Sequence, residues 1–311
     1  MKTHLKELAL LVAPTIVLIV MGLVFCWVVP TNAQLYGAGS HFFFARMVCW
    51  TGIGLSLGTC AYLLGWRRWL KATPYIAAVW VGLMVYSMVS PVTEEHWGWI
   101  GVGGFKIDVL AFVPVVGALM VASVVRFLRC RAIWIVGAVV LVFGGLTVCK
   151  IVRDTYRDER FQLLPSHQKM AEEARQTPYE FVEARYSEAI CKSRWFGPSA
   201  VEAKDLPETV TTGMPVTATT LFGRWWLVLL SAALVALGAA FGVIGWRSDD
   251  EPLRAYSYML GLGIVVPSLL NVAGCVGWIP ILSLGIPFVA YGGSLVVATL
   301  VGMSILCSAL A

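Results

Sequence analysis

Charge is what this chain has least of. Asp, Glu, Lys and Arg together make up 13% of its 311 residues, while hydrophobic residues make up 59%. A soluble domain carries about a quarter charged residues, so an ordinary water-soluble fold is excluded. No acidic or basic residue falls deep inside the long apolar runs, which leaves no proton or sodium relay and weighs against an ion-coupled transporter. The four histidines and eight cysteines are scattered. No CxxC or His/Cys group has metal-ligand spacing, and only Cys191 lies well inside a soluble-like stretch, so neither a metal site nor a disulfide framework is implied. There is no P-loop, GxSxG elbow, HExxH or dinucleotide fingerprint, and no repeat relates the two halves.

Long apolar runs are there instead, and the mean hydropathy is +0.79. A stretch of about 20 such residues crosses a bilayer. Eight are read: about 8–29, 42–65, 73–91, 108–125, 132–149, 225–246, 256–278 and 286–309. The pattern predicts an all-α polytopic transmembrane bundle, with residues 1–311 as a single integral membrane domain. The first run is too long for a leader and lacks a small-residue cleavage site, so it is read as an anchor. Short-loop cations set orientation. Lys2, Lys6, Arg67, Arg68, Lys71, Arg126, Arg129, Arg131, Arg247 and Arg254 all fall on one side if both termini are cytoplasmic. The net charge of +5 then reads as topology and headgroup contact rather than nucleic-acid binding.

Residues 150–224 form the large extracytoplasmic loop in this topology. It contains an amphipathic helix over about 178–193. Thr177 is its N-cap, Pro178 suits the first position and Glu180 follows three after the cap. Tyr179, Val182, Tyr186, Ala189 and Ile190 make one apolar stripe, and Glu188 pairs with Lys192 at i, i+4. Two readings are open: a helix covering the outer mouth of the bundle, or an interfacial helix bordering a lipid entrance. The Gly-, Pro- and Thr-rich stretch 195–215 is irregular backbone near the membrane, which predicts a cavity at the outer face. The third loop, "SPVTEEHWGWIGVGGFKID", places interface tryptophans before Gly103 and Gly104. Asp108 follows at the start of the fourth span, and Asn271 is a polar helix-contact residue in the seventh. In "IPFVAYGGS", Pro287 is expected to start the last helix. Gly292 and Gly293 are read either as packing positions or as points where a pyrophosphate approaches.

Several segments resemble the SEDS family (FtsW, RodA and SpoVE). Its C-terminal pattern, close to N…GllPvtGipLPfiSyGGS, stands here as "NVAGCVGWIPILSLGIPFVAYGGS", 271–294. Asn271, Gly277, Pro280, Pro287, Phe288, Tyr291, Gly292, Gly293 and Ser294 are in register. "LYGAGSHFFFARMVCWTGIGL" carries the family's second-helix Arg46 and Trp50. "WGWIGVGGF" matches at Trp99, Ile100, Gly103, Gly104 and Phe105; "YSEAICKSRWFG" and Leu206-Pro207-Glu208 follow in order. The resemblance implies a bundle of ten helices, so the eight spans make this a shortened relative. It also implies polymerisation of lipid II into peptidoglycan at the outer face of the bacterial cytoplasmic membrane. The partner it implies is a class B penicillin-binding protein. The substrate-binding residues carried over are Arg46, Trp99, Gly103, Gly104, Phe105, Pro287, Tyr291, Gly292, Gly293 and Ser294.

The departures are chemical. Ala111 and Pro114 stand where the family has a Glu and a Lys, Ala290 stands for its usual Ser, and Thr212 occupies its catalytic Asp position. Glycosyl transfer from a lipid diphosphate needs a base for the acceptor hydroxyl and positive charge or a metal for the leaving diphosphate. Thr212 is no such base. Asp205 and Glu208 are the neighbouring carboxylates that substitute if the chain is active, with a divalent cation as the accompanying cofactor; otherwise no cofactor is expected. Arg194, Lys204 and Arg224 are cations within reach of a diphosphate in the same loop. Three functions follow from this reading: a divergent lipid II polymerase in division or elongation, an inactive scaffold or binder of a lipid-linked precursor, and a lipid or small-molecule transporter.

Overall fold

The computed structural model describes residues 2–29, 41–89, 99–102, 105–128, 178–201, 203, 206–207, 210–282 and 284–311. The expected fifth span at 132–149 lies outside the described residues, as do Thr177, Gly103, Gly104, Lys204, Asp205 and Glu208. Long helices dominate. They are α1 (Lys2–Val28), α2 (Phe42–Leu64), α3 (Trp66–Val89), α4 (Val113–Leu128), α5 (Pro178–Lys192), α6 (Met214–Phe222), α7 (Arg224–Arg247), α8 (Glu251–Cys275) and α9 (Gly293–Leu310). A hairpin of β1 (Trp99–Val102) and β2 (Phe105–Asp108) precedes α4, with Trp99 opposite Asp108 and Val102 opposite Phe105.

Six helical stretches among the described residues are long and apolar enough to cross a membrane: Lys6–Val28, Phe42–Leu64, Val109–Phe127, Arg224–Arg247, Glu251–Cys275 and Gly293–Leu310. They bury little beyond their contact faces. Leu63 and Val228 are 72% and 58% exposed, which suits side chains whose solvent is lipid.

Small residues set the packing, because helices in lipid gain from close approach rather than from escaping water. In α2, Gly54 faces Leu300 and Gly58 faces Ser304 of α9. In α8, Gly261 faces Phe241 of α7 and Gly263 faces Pro114 of α4. The Tyr256 hydroxyl, fully buried, donates to the Gly302 carbonyl at 3.0 Å, and Ser257 Oγ donates to the Phe241 carbonyl at 2.7 Å. Helix α9 runs through the middle, with Val296, Ile305 and Leu306 buried.

Two expected boundaries are corrected. The last helix begins at Gly293, not at Pro287. Ile286–Ala290 instead makes a buried turn, closed by the Ala290 amide donating to the Ile286 carbonyl at 3.0 Å. Phe288 is left-handed there (φ 70°) and fully buried. That conformation is uncommon for a bulky residue and cannot continue a helix. The third helix starts at Trp66, seven residues earlier than read, because Arg67, Arg68 and Lys71 are good helix formers that hydropathy alone excludes.

The described short-loop cations gather at one end of the bundle. Arg247 approaches Glu7 at 3.9 Å there, and Trp66 Nε1 donates to Asp250 at 3.2 Å. At the opposite end lie Val28, Phe42, the hairpin, α5, α6, Cys275 and Gly293.

Candidate functional site

The end away from the basic loops brings together the two most distinctive sequence segments. The Tyr291 amide donates to the Val210 carbonyl at 2.8 Å. This single bond ties Tyr-Gly-Gly-Ser, 291–294, to the stretch that ends at Thr212 and Gly213. Thr212 is buried. Its carbonyl accepts from Asn271 Nδ2 and from Cys275 Sγ, each at 3.4 Å, and Cys275 Sγ also lies 3.7 Å from Asn271 Oδ1. Asn271 is fully buried on α8. A buried carboxamide without partners is costly, and here its donor reaches across to the loop rather than to another span.

Helix α5 secures the same loop from the other side. Of its expected stripe, Val182, Tyr186 and Ala189 are buried and Ile190 is half-buried, and Phe181, outside that stripe, is buried with them. The Tyr186 hydroxyl donates to the Pro207 carbonyl at 3.1 Å, and any side chain at Gly213 would collide with that hydroxyl. Glu188 pairs with Lys192 at 2.7 Å and with Arg185 at 3.0 Å on the opposite face. The helix C-terminus is closed by Arg224, whose Nη2 donates to the Ile190 and Cys191 carbonyls at 3.0 Å each. Arg224 is therefore engaged with backbone.

The third side is α2. Gly293 has no room for a side chain because the Trp50 indole lies against it. Gly293 is thus closely packed, whereas a side chain at Gly292 would meet Leu295 at an ordinary 3.9 Å. The Phe43 ring meets Tyr291 edge-on at 5.0 Å. Arg46 is exposed, stands 4.9 Å over the Phe42 ring and lies beside the Tyr291 hydroxyl. Burial raises the pKa of that hydroxyl and Arg46 pulls it back. Ser294 Oγ accepts from the Asp108 amide at 3.0 Å, fastening the hairpin to the start of α9, and Asp108 Oδ1 accepts from the Leu110 amide at 2.9 Å. Below the joint, the Phe288 carbonyl presses on Gly22 of α1.

The structure thus gathers Arg46, Tyr291, Gly292, Gly293, Ser294 and Thr212 at one joint, with buried Pro287 in the turn beneath. Trp99 and Phe105 stand in the hairpin. Asp205, Glu208, Gly103 and Gly104 lie outside the described residues. Reading the sequence missed the clamping roles of Cys275, Tyr186 and Arg224. Tyr186 was legible as stripe but not as hydrogen-bond donor, because its partner is 21 residues away. No group of three or more His, Cys, Asp or Glu able to hold a metal occurs among the described residues.

The fold and this end-on joint define a polytopic helical membrane protein whose loops converge at one face. A profile of the cell cycle protein family of FtsW, RodA and SpoVE matches residues 114–311, well over half of the chain. The chain belongs to that family. The match starts beyond Arg46, Trp99, Gly103, Gly104 and Phe105, which lie outside it.

Among solved structures, a chain from "Structural coordination of polymerization and crosslinking by a peptidoglycan synthase complex" is similar at TM-score 0.69 and 15% identity, over 96% of both chains. The rod shape determining protein RodA of Thermus thermophilus is similar at TM-score 0.64 and 16% identity, over 96% of this chain and 95% of that one. An Asp-to-Ala mutant of it gives 0.64 and 17%, over 96% of each. No curated protein matches the chain. Family membership and the RodA-like fold support a role in peptidoglycan synthesis.

Proposed function

We propose that this chain binds a polyprenyl-linked sugar, lipid II or a close relative, at the outer membrane face during peptidoglycan synthesis, and does not polymerise it. The observation that carries this reading is Thr212. The position that the resemblance assigns to the catalytic acid holds a buried, neutral side chain, and its backbone is clamped by Asn271 and Cys275. An alcohol cannot take the acceptor's proton at neutral pH, whereas the base of a glycosyl transfer must. The binding surroundings survive: Arg46 beside Tyr291, and the turn that leads into Gly292. In this reading both termini are cytoplasmic, the joint faces outward, and a class B penicillin-binding protein is the partner. The likeness to a chain of a peptidoglycan synthase complex supports that partner.

The test gives purified full-length chain labelled lipid II, alone and with a class B penicillin-binding protein whose own polymerase activity is absent. Saturable binding without glycan polymer is expected. Polymer made by the wild-type chain and abolished by Asp205→Ala or Glu208→Ala would instead establish an enzyme with a relocated base.

A further inference from the structure

The connection between α5 and α6 carries two large apolar side chains that stay mostly exposed. Trp195 is 61% and Phe196 is 74% exposed. They are not at the tip of a loose loop. The Arg224 amide donates to the Arg194 carbonyl at 2.9 Å and the Trp225 amide to the Trp195 carbonyl at 3.3 Å. Just beyond, the Gly197 amide donates to the Phe222 carbonyl at 3.0 Å and the Ser199 amide to the Thr220 carbonyl at 2.8 Å. The backbone of 194–199 is therefore laced to 220–225. Gly223, left-handed at φ 102°, lies directly against Trp195 and has no space for a side chain.

Residue 224 is where the α7 span begins. The lacing therefore fixes Trp195 and Phe196 at the depth where a span meets the boundary of the hydrocarbon. Aromatic rings favour that layer, and Lys192 and Arg194, both exposed beside them, suit anionic headgroups. Trp278, 83% exposed, has the same relation to α8: its amide donates to the Ala273 carbonyl at 3.0 Å, two residues before that span ends at Cys275.

We infer that Trp195 and Phe196 insert into the bilayer interface and anchor helix α5 to the membrane surface. The occupant of this exposed apolar patch is lipid, not protein. The consequence reaches the joint, because α5 carries the Tyr186 hydroxyl that holds the Pro207 carbonyl. The bilayer thereby sets the position of the loop that ends at Thr212. This inference rests on the helical span and the exposed rings, and it stands whether or not the chain binds a lipid-linked sugar.

Photocrosslinking tests it. The full chain, with benzoylphenylalanine in place of Phe196, is reconstituted in vesicles of phosphatidylethanolamine and phosphatidylglycerol and irradiated. A second chain labelled at Leu63, a lipid-facing residue of α2, calibrates the yield. The expected product is a phospholipid adduct on the peptide containing residue 196, at a yield comparable to that at Leu63. In native membranes the same adduct is expected. An adduct to another protein in native membranes, or a yield at background in vesicles that label well at Leu63, overturns the anchor. A second readout is hydrogen exchange of α5. Trp195→Ser with Phe196→Ser is expected to speed exchange over 181–192 several-fold in vesicles and to leave it unchanged in detergent; equal rates in vesicles would also overturn it.

Discussion

Asn271 has to satisfy a buried carboxamide near the C-terminal end of the α8 span, and it does so with the Thr212 carbonyl at 3.4 Å. Removing the donor takes from the buried Thr212 carbonyl its amide partner and leaves it the weaker Cys275 thiol at 3.4 Å. Asn271→Ala is therefore expected to cost about 1–3 kcal/mol, read as a lower unfolding temperature in detergent, with faster hydrogen exchange at 210–213. An unchanged temperature would mean that the bond carries no stability. Gly22 makes a second residue-scale prediction. The Phe288 carbonyl occupies the place of its missing side chain, and a backbone atom cannot rotate aside. Gly22→Ala is expected to destabilise by about 1–3 kcal/mol through overpacking, checked by the same melt. Gly82, with nothing within 4 Å, is the matched control and should tolerate alanine.

At the scale of elements, α5 shows how far sequence reading reached. The i, i+4 spacing of Glu188 and Lys192 became an ion pair at 2.7 Å, and Val182, Tyr186 and Ala189 of the apolar stripe lie on the buried face, because both depend on the 3.6-residue repeat. The start of α9 was not legible. Whether a proline opens a helix or sits in a turn depends on what its neighbours bond. Here the Tyr291 amide is taken by Val210, a partner far along the chain, and the Phe288 backbone is left-handed. The Asn271–Thr212–Cys275 clamp was hidden for the same reason. Asn271 was visible as a polar residue in a span, but its partner was not.

The ion pairs also give α5 a pH dependence. Lys192, and then Arg185, hold the Glu188 carboxyl below its usual value of 4.5. A depressed carboxyl stabilises the folded state above the unfolded pKa, and that contribution is lost as pH falls through the folded pKa. Protection of 185–192 from hydrogen exchange is expected to be level at neutral pH and to decline only below about pH 4.5. A decline centred near pH 6.5 would point to a histidine instead. Tyr186→Phe removes the bond to Pro207. It is expected to cost about 1 kcal/mol and to loosen 210–213 more than α5 itself, again by hydrogen exchange.

The whole molecule is a helical membrane bundle of the FtsW, RodA and SpoVE family, legible from apolar runs and from the Tyr-Gly-Gly-Ser segment. Its described cations lie mostly at one end and its loop joint at the other. At that joint Thr212, which the sequence resemblance sets at the family's catalytic-acid position, is buried and its carbonyl is held by Asn271. The most direct measurement is native mass spectrometry of the full chain in lipid nanodiscs, titrated with lipid II and, separately, with phosphatidylglycerol. The account predicts a saturable lipid II adduct, weakened by Arg46→Ala, with no glycan product at any time. Lipid II that binds no better than phosphatidylglycerol, or the appearance of polymer, would contradict it.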